Sequence, residues 1–226
     1  EALTQSWLGQ WSQQLSAAGV FVRSSSSSED LPHFSGAGLY STVPNVRTAE
    51  ALASAVRKVW ASVYNFEAWE ARRAAGIEES QVVMAVLVQT AVDSEASGVL
   101  VTRNPFDSKQ RHTSFIAAKR GLGIRVVEGQ RVAEQVLYSS RSKAVQVLTH
   151  SDDDTALQLD ATGGVREVPV TAGRAVLSDA RVQRLAKVGD AIEQRFGGKA
   201  QDIEWAIAGD RIIVLQARPF VDNSPR

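Results

Sequence analysis

Near the C-terminus, oxygen donors and a guanidinium crowd into a short span. Gln201-Asp-Ile-Glu-Trp-Ala-Ile207 is followed, after Ala208-Gly209-Asp210, by Arg211-Ile-Ile-Val-Leu-Gln-Ala-Arg-Pro219. Both runs alternate in character, and the small, polar break between them predicts a hairpin over 201–207 and 211–217. With a three-residue turn, Ile207 pairs with Arg211, Glu204 with Val214 and Asp202 with Gln216. Side chains alternate faces along a strand. Asp202, Glu204, Gln216 and Arg218 then gather on one face, and Ile203, Trp205, Ile213 and Leu215 on the other. One reading of the polar face is an ordinary half-solvated strand pair. The other is a magnesium–phosphate site. Carboxylate and amide oxygens are the hard ligands that Mg2+ takes, alongside phosphates and water. Arginine grips phosphate oxygens in a bidentate fork that lysine lacks. On the residues alone both readings stand, and a one-residue slip of register would dissolve the second.

A second candidate is Arg23 followed by five serines, Ser24 to Ser28, then Glu29-Asp30-Leu31, Ser35-Gly36-Ala37-Gly38 and Thr42. A serine run alone reads as a flexible linker. This one is short and joined directly to the apolar Val20–Val22 strand. Small residues after an arginine let backbone N–H groups approach an anion, as in a phosphate cradle. No G-x-x-x-x-G-K-[ST] sequence is present, so the cradle is not a Walker loop. Gly121-Leu122-Gly123 reads as a tight turn between strands. Asp152-Asp153-Asp154 reads as a solvated loop. His33, His112 and His150 are widely spaced, which offers no nucleophile–base pair and no paired metal-ligand spacing.

The elements that must hold these residues follow from periodicity. Trp7, Leu8, Trp11 and Leu15 recur at helical spacing in 4–17. The clearest helix runs from Thr48, a capping residue, to about Ala75. Its stripe is Leu52, Val56, Val59, Trp60, Val63 and Phe66, with Arg72, Arg73 and Gly76 as stop signals. The tryptophans read as packing residues. Segments 81–92, 97–103, 112–118, 133–139 and 144–150 are short and rich in β-branched residues, as antiparallel strands are. A second helix spans about 178–196, capped by Ser178 and ended by Gly197. Helices with a largely antiparallel sheet make the expected fold class α+β.

Composition narrows the classes. The 226 residues are 44% hydrophobic, enough for a sizeable core. The formal charge is balanced, 25 basic against 25 acidic, which leaves no global field for nucleic acid or an anionic membrane. No run reaches the roughly 18 apolar residues of a membrane span. The chain has no cysteine, which removes disulfides, thiolate zinc sites and cysteine nucleophiles. The expected location is cytoplasmic.

Four ordered blocks together resemble one family. They are RSSSSSEDLPHFSGAGLYSTVPNV at 23–46, VLVQTAVDSEASGVLVTRNP at 86–105, GLGIRVVEGQRVAEQVLY at 121–138 and QDIEWAIAGDRIIVLQARP at 201–219. The sequence is similar to the nucleotide-binding domain shared by pyruvate phosphate dikinase, phosphoenolpyruvate synthase, rifampin phosphotransferase and the glucan water dikinases. The resemblance implies an ATP-grasp fold that holds ATP and Mg2+. Phosphate would pass to a histidine on a separate swivelling domain, then to an acceptor bound by a further domain. It implies that Arg23 meets the ATP phosphates, that Gly38 and Thr42 lie in the loop over them, and that Gln89 lies near the adenine. It gives Glu204 and Gln216 to Mg2+ with Asp202 beside them, and Arg218 to the transferred phosphoryl group. Nothing before Arg23 resembles the family's glycine-rich, lysine-bearing segment, so residues 1–226 are expected to be part of one nucleotide-binding domain. The alternative is a degenerate ATP-grasp module that binds or regulates without transfer.

Overall fold

The computed structural model describes residues 11, 15, 18–31, 34–36, 38–124 and 132–221. Trp7, Leu8 and His33 lie outside the described residues. The chain divides into two compact units, Glu1–Val92 with Leu159–Arg166, and Asp93–Gln158 with Glu167–Arg226. Among the described residues no helix is long and apolar enough to cross a membrane. Helices pack on antiparallel sheets in an α+β, ATP-grasp-like arrangement.

The first unit is built on a three-stranded antiparallel sheet. β1 (Val20–Ser26) lies at its centre, a short hairpin of β2 (Asp30–Leu31) and β3 (Phe34–Ser35) follows it in the chain, and β4 (Val43–Val46) and β5 (Met84–Thr90) flank it. Val20, Val22 and Val46 point to one face, where Leu52, Ala55 and Val59 of α1 (Ala49–Ala61) cover them. Leu15 is buried in the same cluster and Trp11 packs against it. Thr48 caps α1 by accepting from the Ala51 N–H at 3.2 Å.

The expected single helix to Ala75 is two. α1 tightens into a 3-10 turn at Ser62–Tyr64, and α2 (Phe66–Ala74) starts anew after Asn65 (φ −58°, ψ 139°). Phe66 (64% exposed) follows the break and faces outward, while Trp60 (52%), still within α1, lies off the buried face of Leu52, Ala55 and Val59. Trp69, read from the sequence as packing, is also exposed, with Arg73 over its ring at 5.0 Å.

Asn45 sits buried at φ +48°, and its Nδ2 donates to the Asp160 and Gly164 carbonyls at 2.7 and 2.6 Å. Those carbonyls belong to the turn between β10 (Thr155–Leu159) and β11 (Val165–Pro169), whose Gly163 and Gly164 both take positive φ. The sequence reading did not place this hairpin.

The second unit carries a six-stranded antiparallel sheet in the order β13-β12-β6-β7-β8-β9. Its strands are β6 (Ala96–Val101), β7 (Thr113–Arg120), β8 (Glu134–Ser139), β9 (Val145–Thr149), β12 (Gln201–Ala208) and β13 (Arg211–Pro219). α3 (Asp179–Arg195) covers one face, with Val182, Leu185 and Ala186 packed against Leu100, Ile116, Val136, Ile203 and Trp205. Ser178 caps it by accepting from the Arg181 N–H at 3.4 Å. The buried Glu134 carboxylate fixes the lead-in by accepting the Val176 and Leu177 N–H groups, each at 2.9 Å.

Gly98 is the tightest point. A Cβ there would stand 1.9 Å from the Ala117 carbonyl oxygen and 2.9 Å from the Trp205 ring. Only glycine leaves room there for the Ala117 carbonyl and the Trp205 indole together. Asp153, expected in a solvated loop, is 4% exposed and faces the buried Lys119 ammonium at 3.5 Å. An acidic loop can thus fold inward when a cation waits beneath it, as long as the two charges compensate each other.

Candidate functional site

The C-terminal hairpin differs from expectation in its turn. Ala208 pairs with Arg211 across a two-residue loop, and Gly209 at φ +59° takes the first loop position, as a type II′ turn requires. This changes the pairing by one residue. Continued without interruption, that register would set Gln216 opposite Ile203 and turn it toward the core. A bulge between Glu204 and Trp205 intervenes, with Leu215 as the extra residue on β13. Beyond it Glu204 stands opposite Gln216, and Asp202 opposite Arg218. The expected pairings of Asp202 with Gln216 and Glu204 with Val214 are therefore corrected. So is the apolar face of β13. Ile212 and Ala217, rather than Ile213 and Leu215, pack against the core that holds Ile203, Trp205 and Ile207.

Directly paired residues share a face, so Asp202, Glu204, Gln216 and Arg218 lie together on the face opposite α3. Arg218 donates from Nε to Asp202 Oδ2 at 3.0 Å, and its Nη2 lies 3.0 Å from the same oxygen. Both side chains are partly buried. The guanidinium is thereby oriented by a carboxylate before any ligand arrives. The donor set of this face is two carboxylates and one amide. Among the described residues no cluster of three or more acidic, histidine or cysteine groups could cage a metal. An incomplete set of hard oxygens suits Mg2+ carried on a polyphosphate, since that ion keeps water and phosphate in most of its coordination positions.

In the first unit, Arg23 and Gln89 occupy the sheet face turned away from α1. Phe21 pairs with Gln89 and Arg23 with Leu87, and Arg23 Nη1 donates diagonally to Gln89 Oε1 at 3.4 Å. The serine run is no linker. Ser24–Ser26 continue β1 along β5, and the Glu29 carboxylate folds back to accept the Ser24 hydroxyl at 2.8 Å and the Ser26 N–H at 2.7 Å. Gly38 (φ +78°) and Thr42 stand exposed on the connection into β4, and a Cβ added at Gly38 would meet nothing within 4 Å. The predicted residues thus form two groups. Arg23 and Gln89 meet in the first unit, with Gly38 and Thr42 on its β3–β4 connection. Asp202, Glu204, Gln216 and Arg218 meet in the second.

Sequence reasoning missed a buried polar network in the first unit. Arg72, used only as a helix stop signal, is 0% exposed. Its Nε and Nη2 fork onto the two Glu79 carboxylate oxygens at 3.0 and 2.7 Å. Nη2 also donates to the Val63 carbonyl at 2.7 Å, and Nη1 to the Tyr40 hydroxyl at 3.2 Å. The hydrogen bond to Glu79 holds its pKa above the ordinary arginine value, against the opposing effect of burial. A visible signal existed: Arg72 lies nine residues after Val63 and four after Ala68, on the helix's inward side.

A partly buried arginine fixed by an acid, beside an amide and a second carboxylate, is a set of groups that could hold an anionic ligand with its own cation. The family comparison agrees. Residues 5–225 match the pyruvate phosphate dikinase AMP/ATP-binding domain, and the chain belongs to that family. It is 37% identical over 207 residues to a rifampicin phosphotransferase of Streptomyces sviceus, covering 90% of this chain and 23% of that protein. It is 34% identical over 210 residues to a probable phosphoenolpyruvate synthase of Archaeoglobus fulgidus, covering 89% and 27%. A rifampicin phosphotransferase of Bacillus subtilis is 32% identical over 210 residues, covering 90% and 23%. The chain spans about a quarter of the length of these relatives.

Proposed function

We propose that this chain binds Mg·ATP and serves as the nucleotide-binding part of a dikinase-type phosphotransferase. The observation that carries the reading is the paired polar face of the hairpin, Asp202 with Arg218 and Glu204 with Gln216. Glu204 and Gln216 hold the Mg2+ that accompanies the phosphates, with Asp202 beside them. Arg218 offsets the charge that develops on the phosphoryl group, and Arg23 binds phosphate oxygens. Gly38 and Thr42 supply the loop over the phosphates, and Gln89 contacts the adenine. Phosphoryl transfer asks the protein for positioning and charge neutralisation more than covalent chemistry.

The acceptor is a histidine on a separate swivelling domain. Its imidazole nitrogen forms a bond to phosphorus as the bond from phosphorus to the departing nucleotide oxygen breaks, and that oxygen keeps the electron pair. The phosphohistidine then serves an acceptor domain. The resemblance suggests pyruvate, a glucan or an antibiotic as the acceptor, and two of the relatives are named for rifampicin.

The test is thermal stability with and without a Mg·ATP analogue, in the parent and in Glu204→Ala. A ligand that binds only the folded state adds about 2.7 kcal/mol of stability at a hundredfold excess over Kd. A shift in the parent that vanishes in the variant supports the reading, and equal shifts in both refute the assignment of Glu204. Binding without any acid-labile phosphorylated histidine in the complete protein would favour a module that binds without transfer.

A further inference from the structure

We infer that Arg72 is a positioning residue for the nucleotide phosphates, holding the serine turn and the Gly38–Thr42 connection in one arrangement through the Tyr40 hydroxyl. The inference rests on the nucleotide-binding role proposed above. A fully buried guanidinium is costly unless its N–H groups are matched, and a residue needed only for packing would be better served by an apolar side chain. Here the Glu79 fork and the Val63 carbonyl fix the guanidinium to the turns on either side of its own helix, which leaves Nη1 aimed at Tyr40. Arginine only donates, so the Tyr40 oxygen accepts, and its own proton is available to the buried Ser28 Oγ at 2.8 Å. Ser28 Oγ in turn lies 2.9 Å from Ser26 Oγ, which accepts the Ser28 N–H at 3.2 Å.

The chain of contacts therefore runs from α2 to the end of β1, three residues from Arg23. Tyr40 stands two residues from Gly38 and two from Thr42. Its ring packs against Gly36, where a Cβ would stand 3.3 Å from Tyr40 Cε2 and 3.0 Å from Glu29 Cα. The strand end and the exposed connection are thus tied to one point. Backbone N–H groups bind an anion well only when they are already aimed, because ordering a loop on binding subtracts from affinity. Arg72 supplies that order from below.

The test is Tyr40→Phe in the complete protein, which keeps the ring against Gly36 and removes the hydroxyl. Two readouts are compared with the parent: Kd for Mg2+ with a non-hydrolysable ATP analogue, and backbone amide exchange without ligand. The expected result is faster exchange across 26–42, unchanged exchange in α1 and β5, and a Kd raised about tenfold, the loss typical of a hydrogen bond to a charged group. Arg72→Lys, which keeps the charge but not the fork, is expected to weaken binding in the same direction. Faster exchange with Kd within twofold of the parent would make the network structural only and overturn the inference, as would unchanged exchange. A parent that binds while Tyr40→Phe binds equally well overturns this inference alone. A parent that binds no nucleotide overturns the functional reading and this inference with it.

Discussion

Replacing Gly98 with alanine adds one methyl group at the place where the structure has least room for it. The new carbon would begin 1.9 Å from the Ala117 carbonyl oxygen and 2.9 Å from Trp205 Cζ2. Contact distances between carbon and its neighbours are ~3.5 Å, so β6 and β7 must part by more than ~1 Å. β6 has a paired strand on both sides at this residue, with Trp205 opposite on one strand and Ala118 on the other. It cannot move away from one without pressing on the other. Overpacking of this kind costs about 1–3 kcal/mol, and weakening two ladder hydrogen bonds adds about 1 kcal/mol each. The expected loss is about 3–5 kcal/mol, which at an m-value near ~2 kcal/mol/M lowers the urea midpoint by about 2 M. Tryptophan fluorescence during urea unfolding measures it. Gly76→Ala is the control: φ is +68° but a Cβ there meets nothing within 4 Å, so only the backbone strain of about 1–2 kcal/mol applies. If Gly98→Ala costs no more than Gly76→Ala, the steric argument is wrong.

Two further outcomes follow from buried and hydrogen-bonded charges. Lys119→Met leaves the Asp153 carboxylate buried without its cation and is expected to cost about 3–5 kcal/mol, whereas Lys119→Met with Asp153→Leu is expected to be within about 1 kcal/mol of the parent or more stable; equal losses in urea unfolding would refute the pairing. Asp160 is held below its ordinary value of 3.8 by the Thr162 hydroxyl and N–H. A depressed carboxylate stabilises above its unfolded pKa, and that contribution fades as pH falls through the folded one. The stability gap between parent and Asp160→Ala should therefore be present at neutral pH and close below about pH 4, and a gap that widens on acidification would contradict this.

Parts of both units were legible where local signals and tertiary packing agree. Ser178 and Thr48 cap helices as their types suggest, and the β-branched runs at 97–103, 112–118 and 133–139 became β6, β7 and β8. The failures share one cause, which is that a residue's type does not reveal its partner. Arg72 near a helix end looks like a dipole-matched surface cation, and only Glu79, Tyr40 and the Val63 carbonyl show otherwise. Asp153 looks solvated until Lys119 is found beneath it. Phe66 continues a stripe on paper, but Asn65 breaks the helix that would carry it inward. For the candidate site, the four polar residues of the hairpin were grouped correctly on one face through a wrong turn length, because the bulge at Leu215 offsets the shorter loop.

That offset limits how the C-terminal hairpin can change over evolutionary time. The shorter turn and the extra residue each shift pairing by one, and only together do they keep Gln216 and Arg218 beside the acids. With the sequence unchanged, a ladder that kept the two-residue turn but lost the bulge would set Gln216 opposite Ile203 and exchange inside for outside along the terminal strand, sending an arginine toward the core. Deleting Leu215 itself would make the ladder regular, with Glu204 still opposite Gln216 and Asp202 still opposite Arg218. A relative one residue shorter at that point would keep the four polar residues on one face while losing the bend and extra twist that a bulge imposes.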